Sequence, residues 1–485
     1  MSTKKTVVLT GCDLTVEQII AVGVGDLNVA LDEQALQRCR ESREFLENAV
    51  EQKHVIYGVN TSFGPMCNKI IDNNSLKALQ VNLIRSHAAG LGDPLKPYVA
   101  QAVMLIRLNT LVKGYSGVRF ELLEFMQWMI NNDIAAYIPE CGSVGASGDL
   151  IHLAHLGLGI IGEGNVYYQD QLRPAAEVFA ELGRKPIRLS YKEGIALMNG
   201  TSAMTALAAF AIYGAKKLLR VSYVTGAFGI ELFGGIDDAF DVDLHDVKPH
   251  PGQLETAQTI RNLYQGSTNI TRREDMHDQI REQHQDGLVF ETTINVQDVY
   301  SIRCTPQVLA PVTEMIAAAT RTVEIEANSS NDNPIIIPKK KKIIHGGNFH
   351  GQSIGFAFMG AQYLATSTTA ENRQLANPVS TNSISCNASN QDVVSMGTIA
   401  ARKAFRLVSN AKHILTMEVL ADLQALSFRN AAGLGGGTAK IYALLNKDFE
   451  VYDNNRVFHD DLVKLRKTLF SSQIFDDLTQ YWQTR

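Results

Sequence analysis

The 485-residue sequence has few cysteines, and its six (Cys12, Cys39, Cys67, Cys141, Cys304 and Cys386) are scattered without a C-x-x-C pair. That excludes a zinc ribbon and a disulfide scaffold, and predicts reduced thiols in a cytoplasmic protein. Net charge is scarce as well: −5 on a chain of this length gives no basic field, so nucleic acid and anionic membrane are not expected partners. Long apolar runs are also missing. The most apolar stretch, Ser202 to Leu219, is interrupted by Lys216 and Lys217 and is too short for a bilayer, which predicts a buried core helix. The start, MSTKKTVVLTG, lacks the apolar core of a signal peptide. With 45% hydrophobic and 20% charged residues, the composition is globular, and a small-molecule site is the feature to look for.

What is present is helical periodicity. Leu36, Cys39, Leu46 and Val50 share one stripe, and Leu309, Val312, Ile316 and Val323 share another, predicting two amphipathic helices. Strand signals are local: Pro334 to Ile337 and Ile343-Ile344 flank the run Lys339 to Lys342 and predict a hairpin with a solvated, charged tip. The glycines of GLGGG (433–437) predict a turn between C-terminal helices. In sequence order the chain reads as an N-terminal mixed region at 1–200, a long-helix region at 201–425 and a helical remainder at 426–485. The fold class expected is mainly α.

Three local patterns mimic functional motifs. Residues 157–162, GLGIIG, match G-x-G-x-x-G formally, but the preceding DLIHLAHL reads as helix where a dinucleotide fingerprint needs a strand, so no nucleotide is expected. His152 and His155 have metal-ligand spacing without a third ligand, and leucines between them favour packing; no metal is expected. Ser147 lacks the second glycine of G-x-S-x-G because Asp149 stands there, which leaves a serine hydrolase as a minor reading.

The stretch CGSVGASGDL (141–150) raises a different chemistry. A backbone nitrogen attacks a carbonyl two residues back only where no bulky side chain intervenes, and Gly148 satisfies that need opposite Ala146. Loss of water, including the Ser147 hydroxyl, leaves an electrophilic five-membered ring. The bland alternative for this stretch is a tight glycine-rich turn.

GSVGASGDL resembles the signature of the aromatic amino acid ammonia-lyases and aminomutases, whose Ala-Ser-Gly forms a 4-methylidene-imidazol-5-one group. YGVNTSFG (57–64), NGTSAM (199–204), YSIRC (300–304), NDNP (331–334), GGNFHG (346–351) and NQDVVSMG (390–397) resemble further motifs of that family, in family order. The resemblance implies a mainly α fold with a long central helical bundle, and a homotetramer whose sites draw on more than one chain. It implies that Ala146, Ser147 and Gly148 supply the electrophile and that Tyr57 is the base for the β-proton. A phenol with a pKa of about 10 needs a positive environment for that task. Arg303 would clasp the substrate carboxylate with Asn333 assisting, Asn199 and Tyr300 would face the ring and the substrate amine, Gly64 of the lid loop would help bind the substrate, and Phe349 would pack beside the electrophile.

Two positions bear on the substrate. Ser86-His87 resembles the pair of histidine-specific members and of a group of bacterial tyrosine-specific ones, whereas phenylalanine-specific members usually have Phe-Leu. At Gln391 histidine-specific members carry glutamate, and a neutral amide makes no charge-assisted bond to imidazolium. The expectation is therefore L-tyrosine, giving trans-p-coumarate, with histidine, phenylalanine, an aromatic aminomutase and an inactive scaffold as alternatives. One departure stands out: after GGNFHGQSI the family usually has several dozen more residues, including a bundle helix, and here they are absent.

Overall fold

A computed structural model describes residues 4–72, 75–283, 287–354, 395–429, 431–447, 459–471, 474, 476 and 478–482. Gln391 and the site of the missing family segment lie outside the described residues. The fold is mainly α, and the described residues form two compact units. One holds residues up to Tyr213, those from Ala318 to 354 and those from 395 to Arg406; the other holds Gly214–Ala317 and those from Leu407 onward. The regions read in sequence order are consecutive, whereas each unit gathers separate stretches.

The first unit opens with β1 (Lys5–Leu9), α1 (Val16–Gly23), β2 (Leu27–Leu31) and α2 (Glu33–Glu51), and β1 pairs in parallel with β2. Local signals start the helices. Thr15 and Gln18 form a capping box on α1, and the Asp32 carboxylate accepts the Ala35 N–H at the start of α2. The stripe predicted on α2 is buried at Leu36, Cys39, Leu46 and Val50. Next come α3 (Leu76–His87), β3 (Leu91–Pro94), α4 (Pro97–Val112) and α5 (Phe120–Asn131). Pro97 initiates α4, where a missing N–H costs nothing. Every α4 residue from Val99 to Val112 is buried, so this helix is the centre of the unit's core. Each buried Leu, Ile or Met there contributes about 1.5–3 kcal/mol relative to exposure.

Short strands β4 (Ala135–Ala136) and β5 (Pro139–Cys141) then lead to α6 (Leu150–Ile160), β6 (Asn165–Tyr168), β7 (Gln171–Pro174), α7 (Ala175–Glu181) and α8 (Glu193–Met198). α6 runs through Gly157 and Gly159 as an ordinary helix. A Cβ at Gly157 would stand 2.9 Å from Ile84 of α3, so this glycine permits helix packing. His152 and His155 are likewise engaged locally: His152 Nε2 is 3.2 Å from the Glu140 carbonyl oxygen, and His155 Nε2 accepts the Gly90 N–H at 3.1 Å.

The apolar stretch at 202–219 lies within α9 (Ser202–Phe233). The second unit contributes α10 (Val242–Asp246), α11 (Pro251–Tyr264), α12 (Arg273–Glu282) and α13 (Tyr300–Arg303), followed by α14 (Thr305–Ala327). The predicted hairpin forms, with β8 (Ile335–Ile337) antiparallel to β9 (Lys342–Ile344) and lysines at its tip. α15 (Gly397–Ser427) precedes the GLGGG stretch, whose last two glycines open α16 (Gly436–Leu445). No helix among the described residues is long and apolar enough to cross a membrane.

Candidate active site

A cavity of about 500 Å³ opens in the first unit. Its lining includes Tyr57, Gly64, Ser86, His87, Ser147, Asn199, Asn333 and Phe349, eight of the residues singled out in the sequence. Leu79, Leu83, Met198 and Phe63 supply apolar wall. The α3 wall follows helical spacing: Leu79, Asn82-Leu83 and Ser86-His87 recur every three to four residues and so share one face.

The loop carrying Tyr57 is pinned from several sides. Gly64 donates its N–H to Tyr57 Oη at 3.1 Å, and Phe63 meets the Tyr57 ring edge-on at 6.3 Å between centroids. Tyr57 N donates to His345 Nε2 at 3.3 Å. Burial pulls the His345 pKa down, helped by the Lys192 charge, which keeps that ring a neutral acceptor. Buried Gln80 ties loop to helix, donating to the Gly58 carbonyl at 3.0 Å and accepting the Ile195 N–H of α8 at 3.1 Å.

Ala146-Ser147-Gly148 sits in a constricted turn. Gly148 has φ +74°, and a Cβ there would run into the Gly200 backbone, so only glycine fits. Backbone bridges link Gly145 and Ala146 to Gly148 and Gly148 to Gly200. Asn199 Nδ2 donates to the Ser147 carbonyl at 2.8 Å, and Asp149 N donates to Gly200 O at 2.7 Å. On the other side, Gly351 N and Ser395 Oγ both donate to the Gly145 carbonyl, at 3.1 and 3.3 Å, while Met396 N donates to the Val144 carbonyl at 3.0 Å. Fully buried Asp149 accepts from Ser143 Oγ (2.9 Å), Thr398 Oγ1 (2.6 Å) and Met204 N (2.8 Å). A small, tightly folded Ala-Ser-Gly with glycine at its crowded corner fits the five-membered ring that the resemblance implies.

Beneath α8 lies a polar layer that sequence reasoning missed. Arg107, fully buried on α4, donates from one nitrogen, Nη1, to the Asn199 carbonyl at 3.1 Å and to Asn331 Oδ1 at 3.2 Å. Burial lowers its pKa to about 10 against the opposing pull of Asp332. Lys192, at the start of α8, pairs at 2.5 Å with Asp332, both side chains fully buried, and Ser116 Oγ donates to the other Asp332 oxygen at 3.1 Å. Arg119 grips the buried Glu193 carboxylate at 2.8–2.9 Å and so fixes the same helix end. The NDNP motif therefore divides its labour: Asn331 and Asp332 hold this layer, and Asn333 turns to the cavity, its Oδ1 accepting the Gly346 N–H at 3.1 Å. The available signal was a lone arginine inside the apolar run VMLIRLNTLV.

Tyr300 and Arg303 are not in the lining of this cavity. They lie on α13 in the second unit, where Tyr300 is exposed and the Arg303 guanidinium stacks 4.4 Å from the Tyr300 ring centroid.

Residues 14–358 and 353–447 match the family model described as aromatic amino acid lyase. The two matched stretches overlap at 353–358. The histidine ammonia-lyase of Alkaliphilus metalliredigens is 37% identical over 98% of each chain, and that of Streptococcus pyogenes is 38% identical over 94% of each. The crystal structure of tyrosine aminomutase from Streptomyces globisporus superposes with a TM-score of 0.92 at 32% identity, covering 100% of both chains.

Proposed function

The chain belongs to the aromatic amino acid lyase family and is a carbon–nitrogen lyase, and we propose that it eliminates ammonia from L-tyrosine to give trans-p-coumarate, using a ring formed from Ala146-Ser147-Gly148. The observation that carries this reading is the single cavity lined by Tyr57, Ser147, Asn199, Asn333 and Phe349. When formed, the ring supplies the electron sink that a poor amine leaving group requires. Tyr57 takes the β-proton, and the Gly64 N–H holds its oxygen in place. Asn199 anchors the Ser147 carbonyl, Asn333 contributes to carboxylate binding, and Phe349 excludes water from one side. Tyr300 and Arg303 complete the site in a homotetramer, where another chain provides them.

The tyrosine assignment rests on His87. Its Nδ1 lies 2.9 Å from the Leu83 carbonyl oxygen, which only accepts, so Nδ1 carries a proton, and in the Nδ1–H tautomer Nε2 is an acceptor. A phenol hydroxyl is the matching donor, and a neutral Gln391 gives no charged partner to an imidazole. A second reading, L-histidine to urocanate, is favoured by the named histidine ammonia-lyase relatives. Purified protein is mixed separately with L-tyrosine, L-histidine and L-phenylalanine while the ultraviolet absorbance of the conjugated acid is followed. The largest kcat/KM with tyrosine supports the first reading, and the largest with histidine replaces it by the second.

A further inference from the structure

The geometry points to Arg107 as a positioning residue for closure of the Ala146-Ser147-Gly148 ring: by holding the Asn199 carbonyl, it sets the Asn199–Gly200 segment as one jaw of a clamp on the turn. This inference rests on the reading that the ring forms.

Burying a guanidinium is costly, so an arginine within fourteen consecutive buried positions of α4 implies contacts that a hydrophobic residue could not replace. Those contacts are directional. Nη1 holds Asn199 O and Asn331 Oδ1, whereas Nε and Nη2 have no hydrogen-bond partner among the described residues. Asn331 in turn donates to Thr201 Oγ1 at 2.7 Å, and Thr201 donates to Glu326 Oε1 at 2.5 Å. The segment Asn199 to Thr201 is therefore fastened at both ends.

What that segment touches is the turn itself. Asn199 Nδ2 holds Ser147 O, Gly200 O receives the Asp149 N–H, and the Gly200 backbone fills the space where a Cβ on Gly148 would lie. Gly200 has no room to retreat, because a Cβ on Gly200 would meet the Arg107 guanidinium. The opposite jaw is Gly351, Ser395 and Met396, which hold the carbonyls of Val144 and Gly145. Between the jaws, the chain is bent at the atoms that must react.

Closure joins Gly148 N to the Ala146 carbonyl carbon, with the amide proton passing to the carbonyl oxygen. That oxygen then leaves as water with the Ser147 amide proton, forming a C=N bond. The Ser147 hydroxyl leaves with the Ser147 α-proton as a second water, forming the exocyclic C=C bond. No oxidant enters, and the chain loses about 36 Da. A slack jaw leaves the Gly148 nitrogen in an ordinary extended amide and slows the first bond.

The test compares wild type, Arg107→Lys, Asn331→Ala and a control, Arg43→Lys. Arg43 is also buried, but its guanidinium holds Gly117 O, Tyr191 O and Ser190 Oγ instead. Each purified protein is checked for size and thermal unfolding, then digested, and the peptide spanning 146–148 is weighed. Wild type without the two-water loss refutes the ring reading itself. With the ring present in wild type, folded Arg107→Lys is expected to contain at least tenfold less of it. Its kcat should fall in proportion and its KM stay unchanged, while Arg43→Lys keeps a full ring. A full ring in folded Arg107→Lys overturns the proposal. If Arg107→Lys does not fold, a full ring in Asn331→Ala overturns it, and a reduced ring supports it.

Discussion

At the scale of single residues, the proposed reaction assigns the chemistry to Ser147 and Tyr57, and substitution there separates it from simple binding. Ser147→Ala removes the hydroxyl that leaves as the second water, so turnover should vanish and the 146–148 peptide should lack the full mass loss, with the unfolding transition unchanged. Retained turnover would refute the prosthetic-group reading. Tyr57→Phe keeps the ring that packs edge-on against Phe63 but deletes the proton acceptor. We expect kcat to fall by about two orders of magnitude or more, and a change confined to KM would make Tyr57 a binding residue. His87→Phe replaces the Nε2 acceptor with an apolar surface, so the ratio of kcat/KM for tyrosine over phenylalanine should drop by about 10–100-fold; an unchanged ratio would remove His87 from specificity. Residues of this kind were legible because each belongs to a short motif with its own chemistry. Arg107 was not, since its partners Asn199 and Asn331 lie 92 and 224 positions away and nothing local announces them.

At the scale of elements, local rules decided what tertiary context did not override. The isoleucines on either side of the lysine run produced the hairpin they predict, and in the structure the Asp32 cap and Pro97 start α2 and α4. The glycines of α6 could be read away from nucleotide binding only through their context, and the structure gives Gly157 a packing role against Ile84. What pattern alone could not reveal is strain between neighbours on one helix. On α15, Glu418 and Asp422 are one turn apart, Glu418 exposed and Asp422 half-buried, and burial plus the Glu418 charge raises the Asp422 pKa to about 7. An acid whose folded pKa is raised keeps its proton after the unfolded chain has lost its own. Stability therefore falls as pH rises from about 4 to about 7, and the full penalty remains above that window. Asp422→Asn should accordingly raise Tm by about 2–4 °C at pH 8, or ~1 kcal/mol, and change it little at pH 4. Calorimetry at both pH values checks this, and an equal effect at the two would assign the gain to something other than the buried charge.

At the scale of the whole molecule, the candidate site residues are divided between the two units. Tyr57, Ser147, Asn199, Asn333 and Phe349 converge on one cavity in the first unit, while Tyr300 and Arg303 stand on α13 in the second. Sequence order presents all of them as one family series and cannot say which chain a residue serves. A homotetramer with shared sites makes a quantitative prediction. Tyr57→Phe and Arg303→Ala chains, each inactive alone, are co-expressed with different tags, and doubly tagged oligomers are isolated. If Tyr57 and Arg303 of a working site come from different chains, random mixing restores both groups in about a quarter of sites, and about a quarter of wild-type turnover returns. If one chain supplied both, every site would keep a defect and turnover would stay at the level of the single variants. Recovery thus assigns α13 to a neighbour's cavity, and its absence from properly mixed oligomers would confine each site to a single chain.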